Sequence, residues 1–515
     1  CSTSSAALAG CGHRNRDHDP EQALDDQPAT PVRSQDAAVL VAACLGLFTV
    51  FVQTTQTIGT LSAVQDDLRI ATADLVWIPS IYTLVVATFV LGAGALADRH
   101  GRRRVFLAGV VAMAGGGLVL VVADSLSTVL VGQAVAGLGG ALITPSSLAL
   151  ITHQFADPKR RAGAISAWAA ASGLGLAIGP IIAGLALRSW SWHAAFWFNP
   201  FVAALAGVVA LAFVAESRAP GHRLDPSGLS LGAVGMGALI YSLIEGGNNG
   251  FGGGRSLITA LAALVALGLF VLVELRHREP MLDLRLMRDP TYSASLLLAA
   301  TVLFGFVGVS LLQVLWMQRV GGLTALQVGV ELLAEFGTFI AGSILAGILV
   351  RRLGPRPLVI GGLLLAAAGA ALFADVSPAD TFTDYAPALV VFGLGCGLAN
   401  APSTVLATGH VPAGKEGMAA GTVNAARQVG AVLGTSILGT LMTTRFEDRL
   451  ATAPRMSPQA ATGVAFTDAV THAVAIGAVV LLTGALLALG LFTVAQHRAS
   501  RRPSGITSLD RALSG

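Results

Sequence analysis

The feature that most constrains this chain is a series of long apolar runs. A helix needs about 20 apolar residues to cross a hydrocarbon layer roughly 30 Å thick. Runs of that kind recur at about residues 38–60, 75–97, 105–123, 125–150, 163–187, 194–215, 227–246, 256–275, 292–317, 324–350, 357–375, 384–408, 418–442 and 470–494. Inside a bilayer each backbone N–H and C=O must be satisfied within its own segment, so the expected fold class is all-α, a polytopic membrane protein of fourteen spans. Composition agrees: 54% of the 515 residues are hydrophobic and 12% charged, with a mean hydropathy of +0.71. That is far more apolar than a water-soluble chain of this length requires. A formal net charge of +3, carried in loops, points to the lipid bilayer as partner and not to nucleic acid.

Between the second and third runs stands Gly94-Ala-Leu-Ala-Asp98-Arg99-His-Gly101-Arg102-Arg-Arg104. Arginines at that density cannot sit in hydrocarbon, so the stretch is read as a tight turn, and arginine-rich short loops stay cytosolic. The basic clusters at 159–161, 218–223, 276–288, 351–356 and 498–502 fall on the same side, which places both termini in the cytosol of a plasma-membrane protein. Arg445, Arg449 and Arg455 fall on the other side, in what reads as a long loop before the last span.

Residues 1–37 read as a disordered cytoplasmic tail and 496–515 as a second tail, because neither carries apolar periodicity. The chain begins with Cys where a native start would have Met, and the first apolar run is too long for a cleavable signal peptide. A metal site at Cys11, His13, Asp17 and His18 is not expected in a floppy segment, and the four cysteines have neither metal nor disulfide spacing. No cofactor is expected. The G-x-x-x-x-G-K-[ST] phosphate loop is missing, which argues against direct use of ATP.

The turn has a second copy. Gly347-Ile-Leu-Val-Arg351-Arg-Leu-Gly354-Pro-Arg356 repeats it, Gly94 answering Gly347 and Gly101 answering Gly354. Two halves related in this way are the mark of a transporter built from repeated bundles. The expected units are bundles at 38–215 and 291–495, with two additional spans in 216–290. Asp98 is answered by Arg351, so the acid is not needed to make the turn. A carboxylate there can pair with the arginines or with a nearby helix N-terminus and latch one conformer, or it can act as a local cap.

These residues carry a resemblance. The stretch from Gly94 to Arg104 is similar to the loop signature between spans two and three of the major facilitator superfamily. Gly137-Leu-Gly-Gly-Ala-Leu-Ile-Thr-Pro145, Gly175-Leu-Ala-Ile-Gly179-Pro180-Ile-Ile-Ala-Gly184 and Trp192-His-Ala-Ala-Phe-Trp-Phe-Asn199-Pro200 follow in that family's order. Asp225-Pro-Ser-Gly228 and Gly421-Thr-Val-Asn424-Ala-Ala-Arg427-Gln428-Val-Gly430 resemble the fourteen-span drug:proton antiporter branch. The resemblance implies a monomeric secondary transporter that exports small hydrophobic compounds or antibiotics against protons, by alternating access. It assigns Gly94, Asp98, Arg99, Gly101 and Arg102 to a conformational gate. It also gives Gly175, Gly179, Pro180 and Gly184 the task of sealing the gap between the halves through close helix packing. A facilitator or importer without proton coupling is the alternative. A membrane enzyme would need convergent catalytic groups, which the scattered intramembrane polar residues do not supply. Scarcity of lysine, with only Lys159 and Lys415, points to a GC-rich bacterial genome.

The sequence departs from that branch in two places. Antiporters of the branch carry an aspartate where Gln53 stands and an arginine where Gln133 stands. An unpartnered intramembrane charge is costly, so the joint loss suggests that Gln53 and Gln133 form a neutral hydrogen-bonded substitute for an ion pair, and Gln56 is a further candidate for a substrate or polar network. Glu331 and Glu335 then become the candidates for proton exchange. Four residues apart, they share a helix face, and Glu335 would lie about 16 Å deep, near the middle of the hydrocarbon. Such a pair would also attract a cationic substrate. Asn424 and Arg427 are candidates for a substrate or polar network; Arg427 would neutralise an acid from another helix or hold a substrate anion, or else serve as an interhelical structural tie. Trp168 and Trp316 are candidates for stacking on an aromatic substrate, while Trp77, Trp190 and Trp192 read as interface anchors.

Overall fold

The computed structural model describes residues 34–70, 75, 77–218, 226–250, 252–276, 284–409, 416–451 and 458–500. Both tails lie largely outside these residues, as do Cys11, His13, Asp17, His18, Arg223, Asp225, Lys415 and Arg455. Among the described residues all regular structure is helical. Fourteen long helices follow the apolar runs: α1 Ser34–Leu68, α2 Trp77–His100, α3 Arg102–Val121, α4 Leu126–Gln154, α5 Pro158–Ser189, α6 Phe198–Phe213, α7 Pro226–Asn249, α8 Gly254–Arg276, α9 Pro290–Arg319, α10 in two pieces Ala325–Glu331 and Leu333–Leu353, α11 Pro355–Phe373, α12 Phe382–Thr408, α13 Glu416–Ala451 and α14 Pro458–Ser500.

Among the described residues thirteen helical stretches are long and apolar enough to cross a membrane, the sixth counted from Trp192 to Phe213. The exception is α13, whose middle carries Thr422, Asn424, Arg427, Gln428, Thr435 and Ser436. Two boundaries differ from expectation. Gly94–His100 is helix, and the turn itself is the single residue Gly101 at φ 110°, held by the Glu216 carboxylate where a side chain would stand. The segment before the last span is not a long loop, because α13 and α14 both extend into it. Arg445 and Arg449 each donate to Asp468 at 2.8 Å, which offsets the positive charge on that side.

Helices α1–α6 and α9–α14 pack as two related sets, and the second helix of each set crosses the fifth of the other. On α13, a Cβ added to Gly421 would stand 3.0 Å from the Leu91 carbonyl oxygen and 3.4 Å from Gly94 Cα of α2. On α10, one added to Gly347 would stand 2.7 Å from Ser166 Cβ of α5. Both glycines of the repeated turn therefore lie at the two seams. These crossings, the α2–α3, α4–α5 and α10–α11 turns and the start of α13 gather at the end of the bundle where α1 begins.

The α7–α8 hairpin lies outside the α2–α13 seam. Tyr241 of α7 stacks on Trp77, ring centroids 5.5 Å apart, and Thr440 of α13 donates to the Gly247 carbonyl. Helix α8 joins α7 through Ser242 and Ser256, each hydroxyl donating to the other's carbonyl, and turns Leu257, Ile258, Leu261 and Leu264 outward.

With no aqueous phase to drive helices together in lipid, close backbone approach does the holding. At Gly430 and Gly434 of α13, an added Cβ would collide with the Ala300 and Phe304 carbonyls of α9. Gly430→Leu is expected to lower the unfolding temperature and the monodisperse yield, through overpacking of roughly 1–3 kcal/mol or more. Gly439→Leu on the same helix, where nothing lies within 4 Å of the added Cβ, should leave both unchanged. Equal melting curves for the two variants would contradict this account.

Candidate functional site

A cavity of about 300 Å³ lies between the halves, walled by α1, α2, α4 and α5 on one side and by α9, α10, α12 and α13 on the other. That volume is at the lower end for small-molecule sites. Its lining residues run from the middle of the helices toward the end remote from the two glycine crossings. The wall is mainly apolar and aromatic, including Phe51, Tyr82, Trp168, Phe306, Phe336 and Phe339, with Ser172, Ser310, Asn400, Asn424 and Gln428 as polar points. Arg427 is the single charged side chain among the residues that line it.

Arg427 is 7% exposed. Its Nη2 donates to Asn400 Oδ1 at 2.8 Å, to the Asn400 carbonyl at 3.1 Å and to Thr404 Oγ1 at 2.6 Å, all on α12. The guanidinium carbon stands 5.8 Å from the centroid of the Trp168 ring on α5, within range for attraction to the ring face. Trp168 is itself fixed by donating Nε1 to Ser147 Oγ at 3.0 Å. Asn424 donates to the Ala420 carbonyl one turn back and shares the cavity wall. Trp316 is different: it lies in the core of the second set, donates to Thr467 Oγ1 and meets Phe373 and Tyr385 edge-on. It does not line the cavity, because its side of α9 faces α14 and not α1. Trp192 also departs from an interface anchor, being buried with its Nε1 on Asp67.

The glutamine pair forms. Gln53 Nε2 donates to Gln133 Oε1 at 3.1 Å, and Gln133 Nε2 donates to Thr57 Oγ1 at 2.9 Å. Asn199 Nδ2 closes the network by donating to Gln53 Oε1. The set is buried behind the cavity and made wholly of uncharged groups. Gln56 is buried outside this network, its amide atoms without hydrogen-bond partners among the described residues.

Glu331 and Glu335 do not form a pair. The helix is interrupted at Leu332 between them, and each carboxylate goes to a different helix. Glu331 accepts from the Tyr385 hydroxyl of α12. Glu335 is fully buried and accepts from Ser310 Oγ of α9 at 2.5 Å, while its Oε2 has no hydrogen-bond partner. Ser310 lines the cavity, so its hydroxyl stands between that space and the carboxylate.

At the crossing end, Asp98 is buried and reaches in two directions. Oδ1 accepts from Arg102 Nε at 3.2 Å and Nη2 at 3.0 Å; Oδ2 accepts from the Met418 backbone N–H at 3.0 Å. Met418 belongs to the first turn of α13, so one carboxylate ties the α2–α3 turn to a helix N-terminus of the other set, where a negative charge is favoured. Arg102 is 1% exposed, whereas Arg99 points outward. The glycines of α5 divide between two neighbours. Gly175 and Gly179 face α1 of their own set, against the Phe48 carbonyl and Thr55, whereas Gly184 and Pro180 meet Leu326 and Gly329 of α10. Helical rotation explains the split, since residues at 175 and 179 share one face and 180 and 184 the next.

Ser310, Asn400, Thr404 and Glu216 were not singled out from the sequence, and Asn199 was read only as part of the stretch entering the sixth span. Thr404 had a signal: Pro402-Ser-Thr404 repeats Pro145-Ser-Ser147 of α4, the stretch that supplies the Trp168 partner, whereas Asn400 had none. Ser310 and Glu216 had none, since each matters only through a distant contact.

The comparisons agree with this geometry. The Major Facilitator Superfamily model matches residues 43–435. The chain is 34% identical over 460 residues to the tetracenomycin C resistance and export protein of Streptomyces glaucescens, covering 87% of this chain and 84% of that protein. It is 33% identical over 410 residues to the multidrug resistance protein Stp of Mycobacterium tuberculosis, covering 78% and 75%. Among solved structures, the human organic anion transporter MFSD10 (TETRAN) matches with a TM-score of 0.66, covering 90% of this chain and 100% of that one, at 16% identity, a likeness of fold. Membrane-crossing helices, repeated crossings and a family match over most of its length together make the chain a member of the Major Facilitator Superfamily, a multi-pass membrane transporter and not an enzyme.

Proposed function

We propose that the protein exports small, largely hydrophobic compounds from the cytosol across the plasma membrane in exchange for protons. Export is supported by the relatives named for drug and antibiotic resistance, and by a cavity whose apolar, aromatic wall suits compounds of that kind. Proton exchange rests on one observation. Glu335 is a wholly buried carboxyl with one oxygen free of partners and the other joined to the cavity through Ser310. A carboxyl there can carry a proton between conformers.

In this reading the arginine-rich turns are cytosolic, α13 is the fourteenth span and both termini lie inside. The conformer is the one closed toward the cytosol, with residues 38–215 and 291–495 as the moving bundles and Asp98 as latch. Releasing that latch breaks the bond to Met418 and frees the α2–α13 seam to open. A facilitator without proton coupling is favoured by the neutral Gln53, Gln133 and Asn199 network, which has no charge to exchange.

Proteoliposomes with and without an imposed pH gradient separate the two. For a proton antiporter, the gradient should drive net transport by the native chain, and Glu335→Gln should lose gradient-driven transport while keeping substrate counterflow. A native chain indifferent to the gradient would establish the facilitator. Asp98→Asn should lower transport roughly tenfold at unchanged membrane expression, since a charge-assisted bond contributes about 1.5–3 kcal/mol. Loss of the protein itself would instead make Asp98 a folding residue. Gln53→Asp should reduce folded yield, because it buries a lone charge, and Gln53→Asp with Gln133→Arg should recover it. Equal yields would refute a paired network.

A further inference from the structure

Arg427 is a buried cation without a counter-ion. Its three hydrogen-bond acceptors, Asn400 Oδ1, the Asn400 carbonyl and Thr404 Oγ1, are all neutral, and all are reached by Nη2. Nε is buried with no acceptor. Among the described residues no carboxylate forms an ion pair with Arg427. Taking a cation out of water costs several kcal/mol, and neutral partners repay this only in part. A simple structural tie between α12 and α13 would need hydrogen bonds but not a permanent charge.

The guanidinium stands on the wall of the central cavity beside the Trp168 ring, and Phe306 of α9 lines the same cavity. An anionic oxygen would complete its donor set, and the adjoining rings would cover an aromatic plane. Arg is suited to this because its fork meets carboxylates and other acidic oxygens in plane. The two glutamates that could have drawn a cation do not offer their charge to the cavity: Glu331 is turned to Tyr385 and Glu335 lies behind Ser310.

We propose that Arg427, with the face of Trp168, forms an anion subsite, and that the exported compounds are aromatic molecules bearing an acidic oxygen group, such as a carboxylate, phenolate or enolate. This rests on the export reading and narrows it to a chemical class. The cytosolic form of such a compound would enter as the anion and supply the charge that Arg427 lacks.

The test compares three probes on the purified full chain in nanodiscs: anilinonaphthalene sulfonate, its uncharged analogue phenylnaphthylamine, and ethidium as an aromatic cation. Binding is measured over empty nanodiscs. The native chain should bind the sulfonate at least about tenfold more tightly than the uncharged analogue, the effect of one charge-assisted bond. Arg427→Gln should bring that ratio near one. Arg427→Lys, which keeps the charge and loses the fork, should fall between, and a monodisperse elution profile confirms that each variant is folded. A ratio near one for the native chain, a ratio unchanged in both variants, or tighter binding of ethidium than of the sulfonate would overturn the subsite. Export of all three probes from proteoliposomes is read in parallel. Export without a sulfonate preference overturns the subsite alone, whereas a sulfonate preference without export of any probe overturns the export reading and leaves the subsite standing.

Discussion

Helices in lipid gain nothing from hiding apolar surface from one another, so the structure depends on how closely their backbones can approach. The chain meets that constraint with glycine, 61 residues in 515. At Gly430 and Gly434 the α13 backbone lies against α9 carbonyls, and at Gly397 the α12 backbone lies against the Phe339 carbonyl of α10. Gly421 and Gly347 do the same across the two halves. Contacts inside a bundle and contacts between bundles thus use one chemistry, but their surroundings differ. The seams also carry charged groups, Asp98 and Arg102 among them, whereas the bundle interiors are filled mainly by Phe, Leu and Ala.

Charge is placed by the same economy. Where a bundle interior needs polarity, as at Gln53, Gln133 and Asn199, the groups are amides that satisfy one another without a formal charge. Among the buried charged side chains of the described residues, Asp98 and Arg102 lie at the seam, Arg427 on the cavity wall and Glu335 one hydroxyl behind it. The asymmetry between the halves follows. Helix α5 is capped by its own Asp157, which accepts from Arg160 N–H at 2.8 Å, whereas the first turn of α13 is bound by Asp98 from the opposite half. Arg351, the counterpart of Asp98, meets a helix start already provided with its carboxylate.

Much of this was legible along the chain. The apolar runs placed all fourteen helices, because a span of lipid admits few alternatives to a helix. The repeated turn marked both seams, and the pairing of Gln53 with Gln133 could be argued from the joint loss of two charges. The errors share a cause. Glu331 and Glu335 looked like one site because four residues on an ideal helix share a face, but the break at Leu332 and the neighbours Tyr385 and Ser310 send the carboxylates to different helices. Trp316 looked like a cavity residue because it lies inside a span, yet the rotation of α9 turns it toward Thr467 of α14.

The sequence by itself determined the class of fold, the positions of the helices and the identity of the groups available for chemistry, since hydrophobic length and backbone satisfaction are local properties. Tertiary structure decided which of those groups meet. That Arg427 faces Trp168 with no acid beside it, that Glu335 reaches the cavity through Ser310, and that Asp98 holds the first turn of α13 all depend on helix rotation and crossing. These are set by packing between segments hundreds of residues apart, and no periodicity within a single segment encodes them.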